Sequence, residues 1–204
     1  MEKSNNKGFS LIELVVVIAI LAIAVGLSYN SFSTVFGARS KKAAETVTAL
    51  MSQSKVNAMS GKKNVMRISF KKGKDPNSGE TKEGYFCELY YINSKGEVAD
   101  EPYETQVVGN DSLRISVKDP RDSNVVYTLI EPEEGSTATQ VDKIEIEFSL
   151  DTGAVKKVGI NKESVTTYLI DTDTTDVKEI NFTLESITNH TVTLYKSTGN
   201  QTYQ

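Results

Sequence analysis

Phe9 to Leu27 is a run of 19 residues in which Glu13 is the only charged side chain, and no other feature of the 204-residue chain limits the fold as tightly. As a helix rising ~1.5 Å per residue it reaches about 28 Å, close to the ~30 Å hydrocarbon core of a bilayer. Lys3 and Lys7 precede it, so the first eight residues are expected on the cytoplasmic side. A secretory signal would be cut after the run, between small residues at alternating positions. The string "VGLSYNS" (25 to 31) does not fit that pattern, which leaves the Gly8-Phe9 junction in front of the run as the alternative. Glu13 then needs an explanation, because an ionised carboxylate at the centre of a membrane helix costs roughly 2.5 to 3.5 kcal/mol, and less near an end. Either it snorkels to the cytoplasmic interface, or it meets a cation. Cleavage before Phe9 would create one, a terminal amine a single helical turn away.

The residues Lys7, Gly8, Phe9, Ser10, Leu11, Ile12, Glu13 and Leu14 in "KGFSLIELVVVIAILAI" resemble the N-terminal signal of type IV pilins and pseudopilins. That signal is a short basic leader ending in Gly, then Phe, then a hydrophobic helix with Glu as its fifth residue. The resemblance implies that a prepilin peptidase cuts between Gly8 and Phe9 and that the new amine of Phe9 is methylated. It also implies that Glu13 sets subunit register by pairing with the Phe9 amine of a neighbouring pilin or pseudopilin subunit. The implied fold class is α+β, the type IV pilin fold. In it a long N-terminal helix, transmembrane in its first half, packs by its second half on an antiparallel β-sheet domain.

Four segments follow from this reading: a leader (1–8), a transmembrane half-helix (9–27), its continuation onto the sheet (28–60) and a β-rich head (61–204). Residues 28 to 60 contain no proline. Phe36, Ala43, Val47, Leu50, Ser54 and Ala58 recur at helical spacing, which predicts one face packed against the head. Gly61 is the expected stop, followed by Lys62 and Lys63, which complement the helix dipole. Gly26, Gly37 and "SYNSFS" are expected to loosen the protruding part.

Beyond Gly61 the pattern becomes short alternating runs. Strands are predicted at 65–70, 85–92, 112–117, 125–130, 143–150, 155–160, 167–171, 179–184 and 191–196, forming an antiparallel sheet domain paired mostly between sequence neighbours. "DTG" (151–153) and "STGN" (197–200) read as hairpin turns, and "KKGKDPNSGETKEG" (71–84) reads as a hydrophilic insertion. The passage "KKAAETVTALMSQSKVNAMSGKKNVMRISF" is similar to the helix-to-first-strand region of H-type minor pseudopilins of type II secretion and related minor pilins.

Charge is unevenly distributed. Residues 39–82 carry a net +8 and residues 83–204 a net −12. Arg39, Lys41, Lys42, Lys55, Lys62 and Lys63 are either contacts for anionic lipid or an acidic neighbour, or solvated helix faces. Cys87 is the single cysteine, which excludes an intramolecular disulfide and a thiolate cluster.

No catalytic constellation is legible. His190 is the only histidine and has no convergent partners in sequence. Asp171, Asp173 and Asp176 in "DTDTTD" offer oxygens for calcium, or form an ordinary acidic turn, since the glycine and terminal glutamate of an EF-hand are missing. No Gly-rich phosphate loop is present. No cofactor is therefore expected and enzyme activity is not. The function expected is that of a structural filament subunit, with pilin subunits, prepilin peptidase and a membrane as partners. The competing reading is a membrane-anchored extracellular enzyme or receptor domain. A DNA-binding competence pilin is disfavoured, because aromatic residues are not interleaved with the basic ones.

Overall fold

The computed structural model describes residues 11–171, 174–186 and 188–204, with the side chains of residues 26–37 outside that description. Helix α1 (Leu11–Met59) is continuous over 49 residues. Its backbone stays helical through Gly26, Gly37 and "SYNSFS", where the sequence suggested loosening. A glycine costs about 1 kcal/mol of helix propensity but keeps its hydrogen bonds, whereas only a proline removes one from the ladder.

α1 ends where Gly61 adopts φ +82°. The Gly61 N–H donates to the Ala58 carbonyl at 2.8 Å and the Lys62 N–H to the Asn57 carbonyl at 3.0 Å. That pair of bonds is a Schellman motif, which a residue in the left-handed region makes possible and glycine makes cheap.

The two halves of α1 differ in burial. Every described side chain from Leu11 to Val25 is exposed, whereas Ala43, Val47, Leu50, Met51, Ser54 and Ala58 are at most 3% exposed. Phe36, the first member of the predicted stripe, lies among the side chains outside the description. Among the described residues no helix is long and apolar enough to cross a membrane.

Twelve strands follow: β1 (Asn64–Lys74), β2 (Thr81–Tyr91), β3 (Glu104–Gly109), β4 (Arg114–Lys118), β5 (Val126–Thr128), β6 (Thr139–Gln140), β7 (Lys143–Phe148), β8 (Val155–Lys162), β9 (Val165–Ile170), β10 (Glu179–Glu185), β11 (Asn189–Tyr195) and β12 (Gln201–Tyr203). They form two six-stranded sheets, ordered β3-β2-β1-β7-β8-β9 and β12-β11-β10-β4-β5-β6. All pairs are antiparallel except β5 with β6. The antiparallel sheet domain expected from sequence is built as two sheets. The cause lies in two long-range pairings, β1 with β7, which sets Ile68 against Ile144, and β10 with β4, which sets Phe182 against Val117. Every other pair among the described strands joins sequence neighbours.

Alternation along the strands decides what is buried. In β7, Ile144, Ile146 and Phe148 are buried while Lys143, Glu145 and Glu147 lie on the opposite face. Side chains from α1 and both sheets meet in one core. The buried pair Ser54 and Asn64 fastens the last turns of α1 to the start of β1. The Ser54 hydroxyl donates to Asn64 Oδ1 at 2.5 Å, and Asn64 Nδ2 donates to the carbonyls of Ser54 at 3.1 Å and Lys62 at 2.9 Å.

The hydrophilic stretch 71–84 is a continuation of the β1–β2 hairpin rather than a loose insertion. Its tip closes with the Asp75 N–H donating to the Glu80 carbonyl at 2.8 Å, and Lys82 Nζ lies 2.9 Å from Asp75 Oδ2. Gly153 and Gly199 have φ of +67° and +61°, so "DTG" and "STGN" do turn the chain between β7 and β8 and between β11 and β12.

Candidate assembly site

Gly8 and Phe9, the expected processing junction, lie outside the described residues. Glu13 lies in the first described turn of α1 and its side chain is exposed. It is surrounded along the helix by Leu11, Ile12, Leu14, Val15 and Val16, which are 50 to 82% exposed. Ser40 is the first buried side chain described on α1, 27 positions after Glu13 or about 40 Å along the axis. A carboxylate at that distance has no part in the packing of the head. What the first turns offer is an apolar cylinder carrying one acid, a shape suited to burial against other apolar helices or lipid.

The head fixes the second half of α1 from several sides. The hydroxyls of Ser40 and Thr188 are 3.1 Å apart. Asn57 Nδ2 donates to the Tyr103 hydroxyl at 2.8 Å, and Tyr103 stacks on Tyr91 with centroids 4.0 Å apart. From the C-terminal strand, Gln201 donates to the Thr48 carbonyl and to the Ser52 hydroxyl, and the Tyr203 hydroxyl donates to Glu45 at 3.1 Å. Sequence reading missed these residues. The one local signal was the buried asparagine at the head of β1, whose side chain does the work of a turn.

The basic segment does not form one patch. Arg39 and Lys63 lie at opposite ends of the packed half of α1, with Lys41 and Lys42 near the first and Lys62 near the second. Several of the remaining cations are engaged inside the head. Arg67 Nη2 lies 2.8 Å from Glu145 and its guanidinium sits 4.4 Å from the centre of the Tyr90 ring. Lys71 pairs with Glu88 at 2.7 Å, and Lys55 donates to Asn200 at 2.6 Å.

These contacts shape the titration of their neighbours. Burial pushes the Tyr90 hydroxyl up to about 12, reinforced by its hydrogen bond to Glu88. Burial alone would raise the Glu145 carboxyl, but hydrogen bonds from Lys143 and Arg67 more than offset this and hold it below the ordinary value. The fully buried Cys87 thiol is pushed far up by burial, then by the Glu88 charge, so it is held as an unreactive neutral group.

Of the acidic loop, Asp173 lies outside the described residues. Asp171 Oδ1 accepts from the Thr174 N–H at 2.9 Å and the Thr174 hydroxyl at 2.7 Å, as a capped turn does. The nearby Arg121 guanidinium is bound to Asp119, which raises its affinity for the proton, with a smaller contribution from the Asp171 charge. Asp176 is exposed. Among the described residues no group of three His, Cys, Asp or Glu side chains is placed to hold a metal. His190 Nδ1 lies 3.1 Å from the Gln204 carbonyl, at the edge where β11 meets the C-terminus.

A family model for the prokaryotic N-terminal methylation motif matches residues 3–29. No curated protein matches the chain. Among solved structures, the crystal structure of the type IV minor pilin FimU of Pseudomonas aeruginosa (strain PAO1) is similar over 80% of this chain and 87% of that one, at 12% identity and a TM-score of 0.39. The methylation motif spans the junction and the first turns of α1, and α1 runs on without a break into an antiparallel β head. The chain therefore carries a prokaryotic N-terminal methylation motif on an α+β architecture of one long helix and an antiparallel β head.

Proposed function

We propose that the chain is a structural subunit of a type IV pilus or type II secretion-like filament, most like an H-type minor pilin or pseudopilin. In this reading prepilin peptidase cuts between Gly8 and Phe9, the Phe9 amine is methylated, and α1 holds the precursor in the membrane with the head outside. On assembly the exposed apolar turns of α1 leave lipid for a bundle of like helices. Glu13 then pairs with the Phe9 amine of a neighbour, which fixes register because a lone charge in an apolar bundle is costly.

The observation that carries this reading is the methylation motif at residues 3–29 lying at the head of a helix whose early side chains are exposed and apolar and whose later ones are core. An ordinary anchor accounts for the apolar turns but gives no role to Gly8 or Glu13. The test is mass spectrometry of the chain produced with its own prepilin peptidase. Phe9, methylated, is expected as the N-terminus, and Gly8→Val is expected to leave the precursor uncut in the membrane. A wild-type chain that retains Met1 to Gly8 under those conditions refutes the reading.

A further inference from the structure

Both sheets have two edges, and the four edge strands are not alike. β12 has three residues and β6 two, and β12 is held against α1 by Gln201 and Tyr203. The edges of the first sheet, β3 and β9, have six residues each. Between Val165 and Ile170 no residue is charged and none is proline, and Val165 and Tyr168 are 66% and 41% exposed. Proteins ordinarily protect such an edge with lysine, proline or a covering element, because its outward N–H and C=O groups accept another strand.

The direction of the strands decides which strand can be accepted. Every neighbouring pair in this sheet is antiparallel, so in a sheet of six the edges β3 and β9 run in opposite directions. A second copy in the same orientation therefore presents its β3 antiparallel to this copy's β9. Filament subunits whose α1 helices lie side by side share one orientation. A β9–β9 pairing would instead require a two-fold axis that reverses one copy.

The residues also match. Thr166 and Tyr168 lie on the face away from the core, opposite Asn161 and Gly159 of β8. On β3, Thr105 and Val107 lie on that same face, opposite Glu88 and Phe86 of β2. Among the registers that keep the faces aligned, the longest that leaves the bulge at Val108 at the end of the pair sets Val165 against Val108, Thr166 against Val107, Thr167 against Gln106 and Tyr168 against Thr105. These are mostly β-branched and aromatic pairs with no like charges opposed, the combinations that stabilise an antiparallel pair.

We propose that β9 of one subunit pairs with β3 of a second copy of this chain in the same filament, extending the first sheet from head to head. The contact is heterologous and does not close on itself, so it adds copies in one direction along the assembly. It rests on the filament reading given above.

The test uses two differently tagged full-length copies, expressed together with prepilin peptidase and the assembly machinery, one carrying Thr167→Cys and the other Gln106→Cys. Opposed residues in an antiparallel pair lie roughly 4.5 to 5.5 Å apart at Cα, within the span of a disulfide, and the buried native Cys87 gives no background. After mild oxidation, sheared filaments are expected to contain a two-tag dimer, severalfold more abundant than in filaments where both copies carry Thr167→Cys. Adding Thr166→Lys to the Thr167→Cys copy is expected to reduce the dimer severalfold without lowering the amount of folded subunit. Filaments that contain both copies but no two-tag dimer overturn the contact alone. Equal dimer from two Thr167→Cys copies also overturns it, in favour of a two-fold contact. Copies that keep their leader or stay out of the sheared fraction overturn the filament reading, and this contact with it.

Discussion

Leu50→Ala separates a helix that packs on the head from one that merely passes it. Leu50 lies in the buried stripe of α1 and is 3% exposed, whereas Val56, less than two turns further along the same helix, is 59% exposed. Truncating a buried leucine removes its transfer free energy and leaves a cavity, which together cost about 2 to 5 kcal/mol. The surroundings of Leu50 favour the upper part of that range. Met51, Val47 and Ser54 are all within 1% of full burial, and two sheets close over the helix, so little can collapse into the space. Val56→Ala removes methyl groups already in water and is expected to change stability by no more than about 0.5 kcal/mol. For a domain of 150 to 250 residues, 1 kcal/mol moves Tm by about 2 to 4 °C, so the leucine variant should melt roughly 5 to 20 °C lower. The assay is thermal unfolding of both variants, followed by circular dichroism, in a head fragment beginning at Ser31. Equal shifts for the two variants would mean that the helix is not clamped as described, and that its stripe faces filament neighbours.

Two further outcomes follow from the titration of the head and from the first turns of α1. The Asp75 carboxyl is drawn down from 3.8 to about 2, mainly by the Lys82 ammonium and then by the Asn77 N–H. Its folded value lies below its unfolded one, so the stabilisation is present above pH 3.8 and fades as the pH falls through about 2. Asp75→Asn should flatten the dependence of Tm on pH in that window, and an unchanged slope would show that the hairpin tip opens before the head unfolds. Glu13→Ala should lower the share of subunits in sheared filaments while membrane content and head stability hold, because about 40 Å of helix separates the carboxylate from the core. Equal filament content for mutant and wild type would remove Glu13 from the register mechanism.

How much of this was legible in the sequence depends on whether a feature is encoded locally. The stripe from Ala43 to Ala58 is a 3.6-residue rhythm, and it lies on the core because nothing interrupts it. "KIEIEF" reads as a one-sided strand because isoleucine and charge alternate. β3 was missed because "ETQVVG" has no alternation and a bulge between Tyr85 and Phe86 of its partner shifts its register. β6 and β12 are two and three residues long and owe their existence to neighbours rather than to composition. The division into two sheets was unreadable for the same reason. It depends on which distant strand β1 and β10 select, and the choice rests on core shape that no short window contains.

The charges teach a related lesson about candidate sites. Counted along the chain, residues 39–82 look like a basic surface waiting for an acidic partner. In the fold, Arg67, Lys71 and Lys82 are matched to Glu145, Glu88 and Asp75, and the helix lysines are distributed over the length of the packed half of α1. Part of the net charge of +8 on the segment is thus met within the head, by Glu88 and Glu145 of the acidic part and by Asp75 of the segment itself, and charges on separate turns of the helix are screened from one another beyond about 10 Å. Glu13 is the opposite case. It is one charge in an apolar stretch, where the surroundings leave nothing to screen it once water is gone, and its cost grows as the helices around it become more apolar. In the proposed filament a single carboxylate there would decide register, whereas Arg67, Lys71 and Lys82 serve ion pairs within the head.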